Sequence, residues 1–254
     1  MPFQTQNLSI RLGGKRILQD VTFNAPVGGI TGIIGPNGSG KTTLLRALAG
    51  LLSPDTGHVL HDGQDLGRIP PRDRARRIAM MPQTAQAPAG LTVRELVARG
   101  RTPWLRPFLP MTAADQGAVD RALAACGLND LAARAVDSLS GGQRQRAWIA
   151  LVLAQESGTV LLDEPLNFLD LPHQSELVSL LRTVGATRSV MMILHDLTIA
   201  ARVCDHVLAL RDGRLVAFGT PADVLAPAPL KQTFGIDFSC TRPDGRPVIL
   251  PAAL

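Results

Sequence analysis

Eight consecutive residues, Gly35-Pro36-Asn37-Gly38-Ser39-Gly40-Lys41-Thr42, meet every fixed position of the pattern G-x-x-x-x-G-K-[ST]. Their types suit a triphosphate. The glycines remove the Cβ atoms that would keep backbone N–H groups from curling around phosphate oxygens. Lys41 brings positive charge to the β- and γ-phosphates, and Thr42 offers a hydroxyl to Mg²⁺. A second candidate pair, Asp163 and Glu164, closes the apolar run Thr159-Val160-Leu161-Leu162. Asp163 there could orient Mg²⁺ through water, and Glu164 could polarise the water that attacks a γ-phosphate. A third candidate is Ser140-Gly141-Gly142-Gln143. Its S-x-x-Q spacing is that of a capping box. A serine and two glycines at a helix start also expose backbone donors and a positive dipole end to an anion. This segment can serve the nucleotide already held by the glycine loop if the geometry brings the two together, as two copies meeting head to tail would do.

The elements that must position these groups can be read around them. Ile30-Thr31-Gly32-Ile33-Ile34 predicts a short buried strand, and 43–49 predicts a helix that puts the phosphates at its N-terminus. The run ending in Asp163 reads as a central parallel strand whose carboxyl end opens onto a ligand. A helix over 144–154 follows the capping box, and 92–101 and 113–126 also read as helices. Residues 209–216 form a hairpin signal with Asp212-Gly213 at the turn. From residue 231 onward the chain holds Pro243, Pro247 and Pro251 and no readable motif, and there is no internal repeat.

Composition narrows the class. The 254 residues are 45% hydrophobic and 19% charged, which fits a globular protein. No apolar run approaches the roughly 18 to 20 residues of a membrane span, and the first residues lack a basic-then-apolar leader. Cys126, Cys204 and Cys240 are too far apart for a metal site or a disulfide framework, so a reducing cytosol is expected. The net charge of +5 invites a nucleic-acid reading. Yet the basic residues are scattered apart from Arg72, Arg74, Arg76 and Arg77, and a chain with 4% aromatics and no tyrosine has little for base stacking. The same charge suits a protein resting against an anionic inner membrane face.

Taken together and in order, these segments resemble the nucleotide-binding subunit of an ABC transporter. Gly35–Thr42 stands as the Walker A loop, Leu139-Ser140-Gly141-Gly142-Gln143 as the signature, and Asp163-Glu164 as the end of the Walker B strand. Gln83, after Ile78-Ala79-Met80-Met81-Pro82, matches the family's Q-loop glutamine. His195, after Val190-Met191-Met192-Ile193-Leu194, matches its switch histidine, and Asp170 its D-loop aspartate. The resemblance implies an α/β fold: a P-loop NTPase (ABC ATPase) core with a mixed sheet and an antiparallel β subdomain, plus a helical signature subdomain. The core would take residues 1–82 and 136–224, the helical subdomain 84–135, and a C-terminal extension 225–254. It further implies ATP held by residues 35–43 (Thr43 included), Gln83, Asp163 and Asp170, with Ser140 to Gln143 coming from a second copy. Mg²⁺ would be held by Thr42, Gln83 and Asp163, and Glu164 and His195 would be catalytic. The implied partners are a homodimer mate, integral-membrane permease subunits and, indirectly, a substrate-binding protein, with no nucleic acid. The chain would sit peripherally on the cytoplasmic face of the inner membrane.

Several strings are similar to those of bacterial metal-chelate importers, ferric siderophore first and then haem or cobalamin. They are Gly100-Arg101-Thr102-Pro103-Trp104, Gln143-Arg144-Gln145-Arg146-Ala147, Leu153-Ala154-Gln155, Leu169-Asp170-Leu171-Pro172-His173-Gln174, His195-Asp196-Leu197 and Gly219-Thr220-Pro221. In purely structural terms, Trp104 and Phe108 would fill the small core of the helical region. The alternative is a soluble ABC-type ATPase acting on nucleic acid or the ribosome. Such proteins carry two motif sets or a long coiled-coil insertion, and this sequence shows neither.

Two departures from the family stand out. The segment Pro165-Leu166-Asn167-Phe168 carries larger residues at Leu166 and Phe168 than the family usually has, which would alter the seam between two copies. Leu12 stands where the family has an aromatic that stacks on adenine, with Phe3 and Phe23 off register. Leucine offers apolar contact without a π-face, so weak discrimination between ATP and GTP is expected. Competition binding checks this, and a strong preference for ATP would show that another residue holds the base.

Overall fold

The computed structural model describes residues 3–83, 87–106, 108–167, 169–241 and 247–252. Its contacts divide the chain into two compact units, Met1–Ile69 with Gly185–Leu254, and Pro70–Val184. Residues 70–82 and 136–184 therefore share a unit with the helical residues. Among the described residues no helix is long and apolar enough to cross a membrane.

The first unit contains an antiparallel sheet in the order Lys15–Ala25, Phe3–Leu12, Thr56–His61, Gln64–Asp65. In Lys15–Ala25 the buried residues Leu18, Val21, Phe23 and Ala25 settle largely into every second position, as a sheet with one covered face requires. The same unit holds Ile30–Ile34 paired in parallel with Ser189–Ile193 on one side and with His206–Arg211 on the other. The strands Ile30–Ile34 and Ser189–Ile193 are buried at every position, the pattern of parallel strands covered on both faces. His206–Arg211 and Arg214–Gly219 form the expected hairpin, with Asp212 at φ 49° and Gly213 at φ 75°. The unreadable C-terminal stretch forms a further hairpin, Phe238–Thr241 against Val248–Pro251; Pro243 lies outside the described residues.

The second unit pairs Ile78–Met81 in parallel with Thr159–Leu162. Around them lie the helices Val93–Ala98, Ala113–Ala125 and Gly141–Ala154, each opened by a complete capping box: Thr92 with Glu95, Thr112 with Asp115, Ser140 with Gln143. All three positions match the expected helices.

The string Gly100-Arg101-Thr102-Pro103-Trp104 has a physical explanation here. A Cβ at Gly100 would lie 2.2 Å from the Leu151 carbonyl oxygen, so only glycine lets the two backbones approach. Arg101 is 6% exposed. Its Nε donates to Asp115 Oδ1 at 3.0 Å, and its Nη1 donates to the Ala154 carbonyl at 2.8 Å and to Glu156 Oε2 at 2.9 Å. It thus caps the end of Gly141–Ala154 while neutralising two carboxylates. Trp104 lies at the border rather than in a core: it is 36% exposed, and its indole N–H donates to the Gln155 carbonyl at 2.8 Å. Phe108 is fully exposed, so it does not fill the helical core as expected. Arg72 and Arg76 are not a free basic patch either. Both donate to the Pro103 carbonyl, and Arg76 lies 5.1 Å over the Trp104 ring.

Replacing Arg101 with Met would leave Asp115 and Glu156 without their counter-charge. Because Glu156 is partly solvated, a loss of about 3 kcal/mol of unfolding free energy is expected, at the low end for a broken buried pair. The Thr112 hydroxyl, and after it Arg101, hold the Asp115 carboxyl below its usual pKa against the effect of burial. The Arg101 contribution is therefore present at neutral pH and fades as pH falls through that lowered pKa. Denaturant melts of Arg101→Met and wild type should converge in acid.

Candidate functional site

In the first unit the site grows from two neighbouring strand ends. Ile33 lies opposite Ile193, and Leu194 donates to the Ile33 carbonyl at 3.1 Å. Both segments thus leave the sheet at one edge, Ile34 into the glycine loop and Leu194 into exposed His195. In that loop Gly35, Gly38 and Gly40 have φ of 148°, 77° and 99°. A Cβ at Gly35 would lie 2.2 Å from the Leu210 carbonyl oxygen, so space as well as φ demands glycine. The helix Lys41–Leu48 begins at Gly40 with no side-chain cap, so the positive end of its dipole faces the loop. Lys41 is buried, and its Nζ bridges the loop by donating to the Gly35 and Pro36 carbonyls at 2.7 and 2.9 Å. Ser39 is 2% exposed, and its Oγ has no hydrogen-bond partner among the described residues. A cradle with an ammonium, an unpaired buried hydroxyl and a helix N-terminus fits phosphate. Thr42 and Thr43 are half-buried on the first turn beneath it.

In the second unit two other strand ends lie flush. Met81 pairs with Leu162, and the Asp163 N–H donates to the Met81 carbonyl at 3.0 Å. That register sets Gln83 beside Glu164, and Gln83 Nε2 donates to Glu164 Oε2 at 2.8 Å. Asp163 is 1% exposed. Glu164 has φ 54°, a left-handed conformation that a side chain other than glycine adopts only when its surroundings impose it. Asn167, which had no assigned role in the sequence, donates from Nδ2 to the same Glu164 oxygen at 2.6 Å. Its signal was local: an amide residue three positions after a strand-terminal carboxylate, where turns favour asparagine. Leu166 is 6% exposed and points into the interior, so it does not add bulk to a seam between copies. Phe168 lies outside the described residues.

The Ser140 box is complete, with the Ser140 N–H donating to Gln143 Oε1 at 3.1 Å and the Gln143 N–H to Ser140 Oγ at 3.3 Å. Gly141 is exposed and Gly142 half-buried. Asp170 starts the helix Leu171–Gly185. Its Oδ1 accepts from the His173 N–H at 3.2 Å, and its carbonyl from the Gln174 N–H at 2.9 Å. The His173 ring bonds the same carboxylate and, as the largest cause, lowers its pKa. Leu12 is 42% exposed at a strand end, whereas Phe3 and Phe23 are buried in the core and present no ring to a base.

The expected residues thus fall into two sets. Residues 35–43 and His195 belong to the first unit; Gln83, 140–143, Asp163, Glu164 and Asp170 belong to the second.

A family model described as ABC transporter matches residues 18–167. The chain is 43% identical over 251 residues to the "Probable siderophore transport system ATP-binding protein YusV" of Bacillus subtilis (strain 168), covering 97% of this chain and 91% of that protein. It is 41% identical over 252 residues to the "Ferric enterobactin transport ATP-binding protein FepC" of Escherichia coli (strain K12), covering 97% and 92%. Among solved structures, an inward-facing ABC transporter described as of metal-chelate type aligns with a TM-score of 0.85 and 26% identity, over 98% of this chain and 96% of that one. These relatives lend no support to the nucleic-acid alternative.

Lys41→Met removes the charged donor from the loop without touching its glycines. Nucleotide affinity should fall by about one to two orders of magnitude, the worth of charge-assisted hydrogen bonds. Nucleotide titration reads the loss, and a retained cooperative melting transition shows that the fold is intact.

Proposed function

Because this chain belongs to the ABC transporter family, as an ATP-binding subunit that hydrolyses ATP, we propose that it powers import of a ferric siderophore. The observation that carries the cargo class is likeness to a siderophore-system and a ferric enterobactin subunit along 97% of this chain, where hemin- and cobalamin-import subunits of similar identity are matched along 91% and 92%. Haem and cobalamin are the neighbouring cargoes that the reading must exclude.

The site chemistry follows from the residue types. Lys41 and the backbone N–H groups that residues 35–43 carry, Pro36 having none, hold the triphosphate of ATP. Thr42, Gln83 and Asp163 supply oxygen donors, which suit the hard cation Mg²⁺; so few ligands leave most of its shell to phosphate and water. When bound, Mg²⁺ neutralises charge on the β- and γ-phosphates. Glu164 accepts the proton of the attacking water, and His195 holds the γ-phosphate. Ser140, Gly141, Gly142 and Gln143 of a second copy, with Asp170 at the seam, close on the same nucleotide. ATP then favours the closed homodimer because it binds that state better than the open one, and hydrolysis lets the pair reopen. Membrane permease subunits, fed by a substrate-binding protein, turn this cycle into transport. The chain is held peripherally at the cytoplasmic face of the inner membrane by those subunits.

The complex of this chain with its permease, reconstituted in vesicles, tests both parts. ATP hydrolysis should rise with a ferric siderophore and its binding protein, and not with haem or cobalamin; the reverse order would reassign the cargo. With Glu164→Gln the same complex should bind ATP yet turn over at least about 100-fold more slowly, as expected on losing a general base.

A further inference from the structure

Asn167 touches Glu164 twice. Its Nδ2 donates to Glu164 Oε2 at 2.6 Å, and its backbone N–H donates to the Glu164 carbonyl at 3.3 Å. Gln83 Nε2 meets the same carboxylate oxygen at 2.8 Å. The last torsion of a glutamate side chain is broad when nothing holds it. Two donors on one oxygen fix that torsion, and with it the direction of the other oxygen.

The platform beneath Asn167 is itself anchored. Gln145 Nε2 donates to the Pro165 carbonyl at 2.7 Å, and Gln174 Nε2 to the Leu166 carbonyl at 3.2 Å. Leu166 itself is 6% exposed, so the turn is anchored by its side chain as well as by these carbonyls. A turn this well tied can hold Glu164 at φ 54°, a conformation costing on the order of 1–3 kcal/mol.

We propose that Asn167 is a positioning residue for ATP hydrolysis: with Gln83 it clamps one carboxylate oxygen of Glu164 and aims the other at the attacking water. The inference rests on the reading of Glu164 as the general base. In that step a water O–H bond breaks and its proton passes to Glu164. The water oxygen bonds to the γ-phosphorus as the bond from phosphorus to the ADP oxygen breaks. An amide suits the clamp because it donates without titrating. An aspartate of the same shape would set an acceptor against an acceptor, so the bond that holds Glu164 Oε2 would be lost while the volume is kept.

The test uses the full chain, with steady-state ATP hydrolysis measured against ATP concentration and nucleotide affinity by titration. Asn167→Ala should lower kcat by about tenfold, the scale of losing a supporting hydrogen bond to a reacting group, with KM for ATP within about twofold of wild type. Asn167→Asp, of the same shape but without the donor, should lose at least as much kcat, whereas Asn167→Ser, which keeps a short donor, should recover part of it. The inference fails if Asn167→Ala and Asn167→Asp keep the wild-type kcat, or if kcat and KM change together with an earlier melt, because that is the behaviour of a turn residue alone. Glu164→Gln separates the two layers. Full turnover there overturns the general-base reading itself, whereas a dead Glu164→Gln beside an Asn167→Asp of wild-type kcat overturns only the clamp.

Discussion

The glycine loop keeps its shape because three stretches of backbone crowd against one another in the first unit. The Gly213 N–H donates to the Ser39 carbonyl at 3.1 Å, and the Gly213 carbonyl accepts from the Gln19 N–H at 2.8 Å. A Cβ on Gly213 would lie 2.2 Å from the Ile17 carbonyl oxygen, and one on Gly40 would lie 2.7 Å from Leu18 Cδ2. The loop end, the hairpin turn and an antiparallel strand therefore approach to distances that only glycine allows. Phosphate binding needs N–H groups fixed in advance, since each donor that must be ordered on binding costs conformational entropy. The contact among Ile17, Ser39 and Gly213 does that ordering during folding.

How much of this could be read beforehand depended on range. The Ile30–Ile34 strand, the Asp212-Gly213 turn and the Ser140–Gln143 cap are local patterns, and each signals itself within a few residues. Gly213 was legible as a turn residue. That it also makes room for Ile17 was not, because the two lie nearly 200 positions apart. The pocket chemistry of Gly35 to Thr42 was visible for the same local reason, whereas the bond of Gln83 to Glu164 depends on the register of Ile78–Met81 against Thr159–Leu162. The C-terminal hairpin was hidden by its prolines. Pro251 sits at the end of its strand opposite Phe238, a position where a missing N–H does little harm. What holds that strand is again distant: the Ile249 N–H donates to Thr198 Oγ1 at 3.1 Å, and Arg202 Nε to the Pro247 carbonyl at 3.2 Å.

The arginines show why net charge was a poor guide to partners. A count of +5 treats each guanidinium as available to an outside anion. Yet Arg72, Arg76 and Arg101 spend their donors on carbonyls at Pro103 and Ala154 and on Asp115 and Glu156. A planar fork of five N–H donors can tie several chain segments at once in fixed directions. In the second unit arginine therefore acts as internal scaffolding for the helices that carry Ser140 and Gln143. The charge is structural before it is functional.

The same distinction explains how one short segment can cap a helix and still leave donors open to an anion. Four N–H groups at a helix start lack intrahelical partners. The box between Ser140 and Gln143 uses those of residues 140 and 143, the two that sit farthest apart. Gly141 and Gly142 lie between them, at the open end of the helix, and a Cβ on Gly141 would meet nothing within 4 Å. The cap stabilises the helix from within the chain and leaves the two middle donors facing outward, where the dipole favours an anion. A Ser140→Ala change would therefore remove the frame that aims those donors as well as a capping bond. In a lone copy the donors at Gly141 and Gly142 contribute nothing to the fold beyond what water would supply. Their arrangement suits an anion from outside the chain, which is what the proposed head-to-tail pairing with the Lys41 cradle of a second copy would bring.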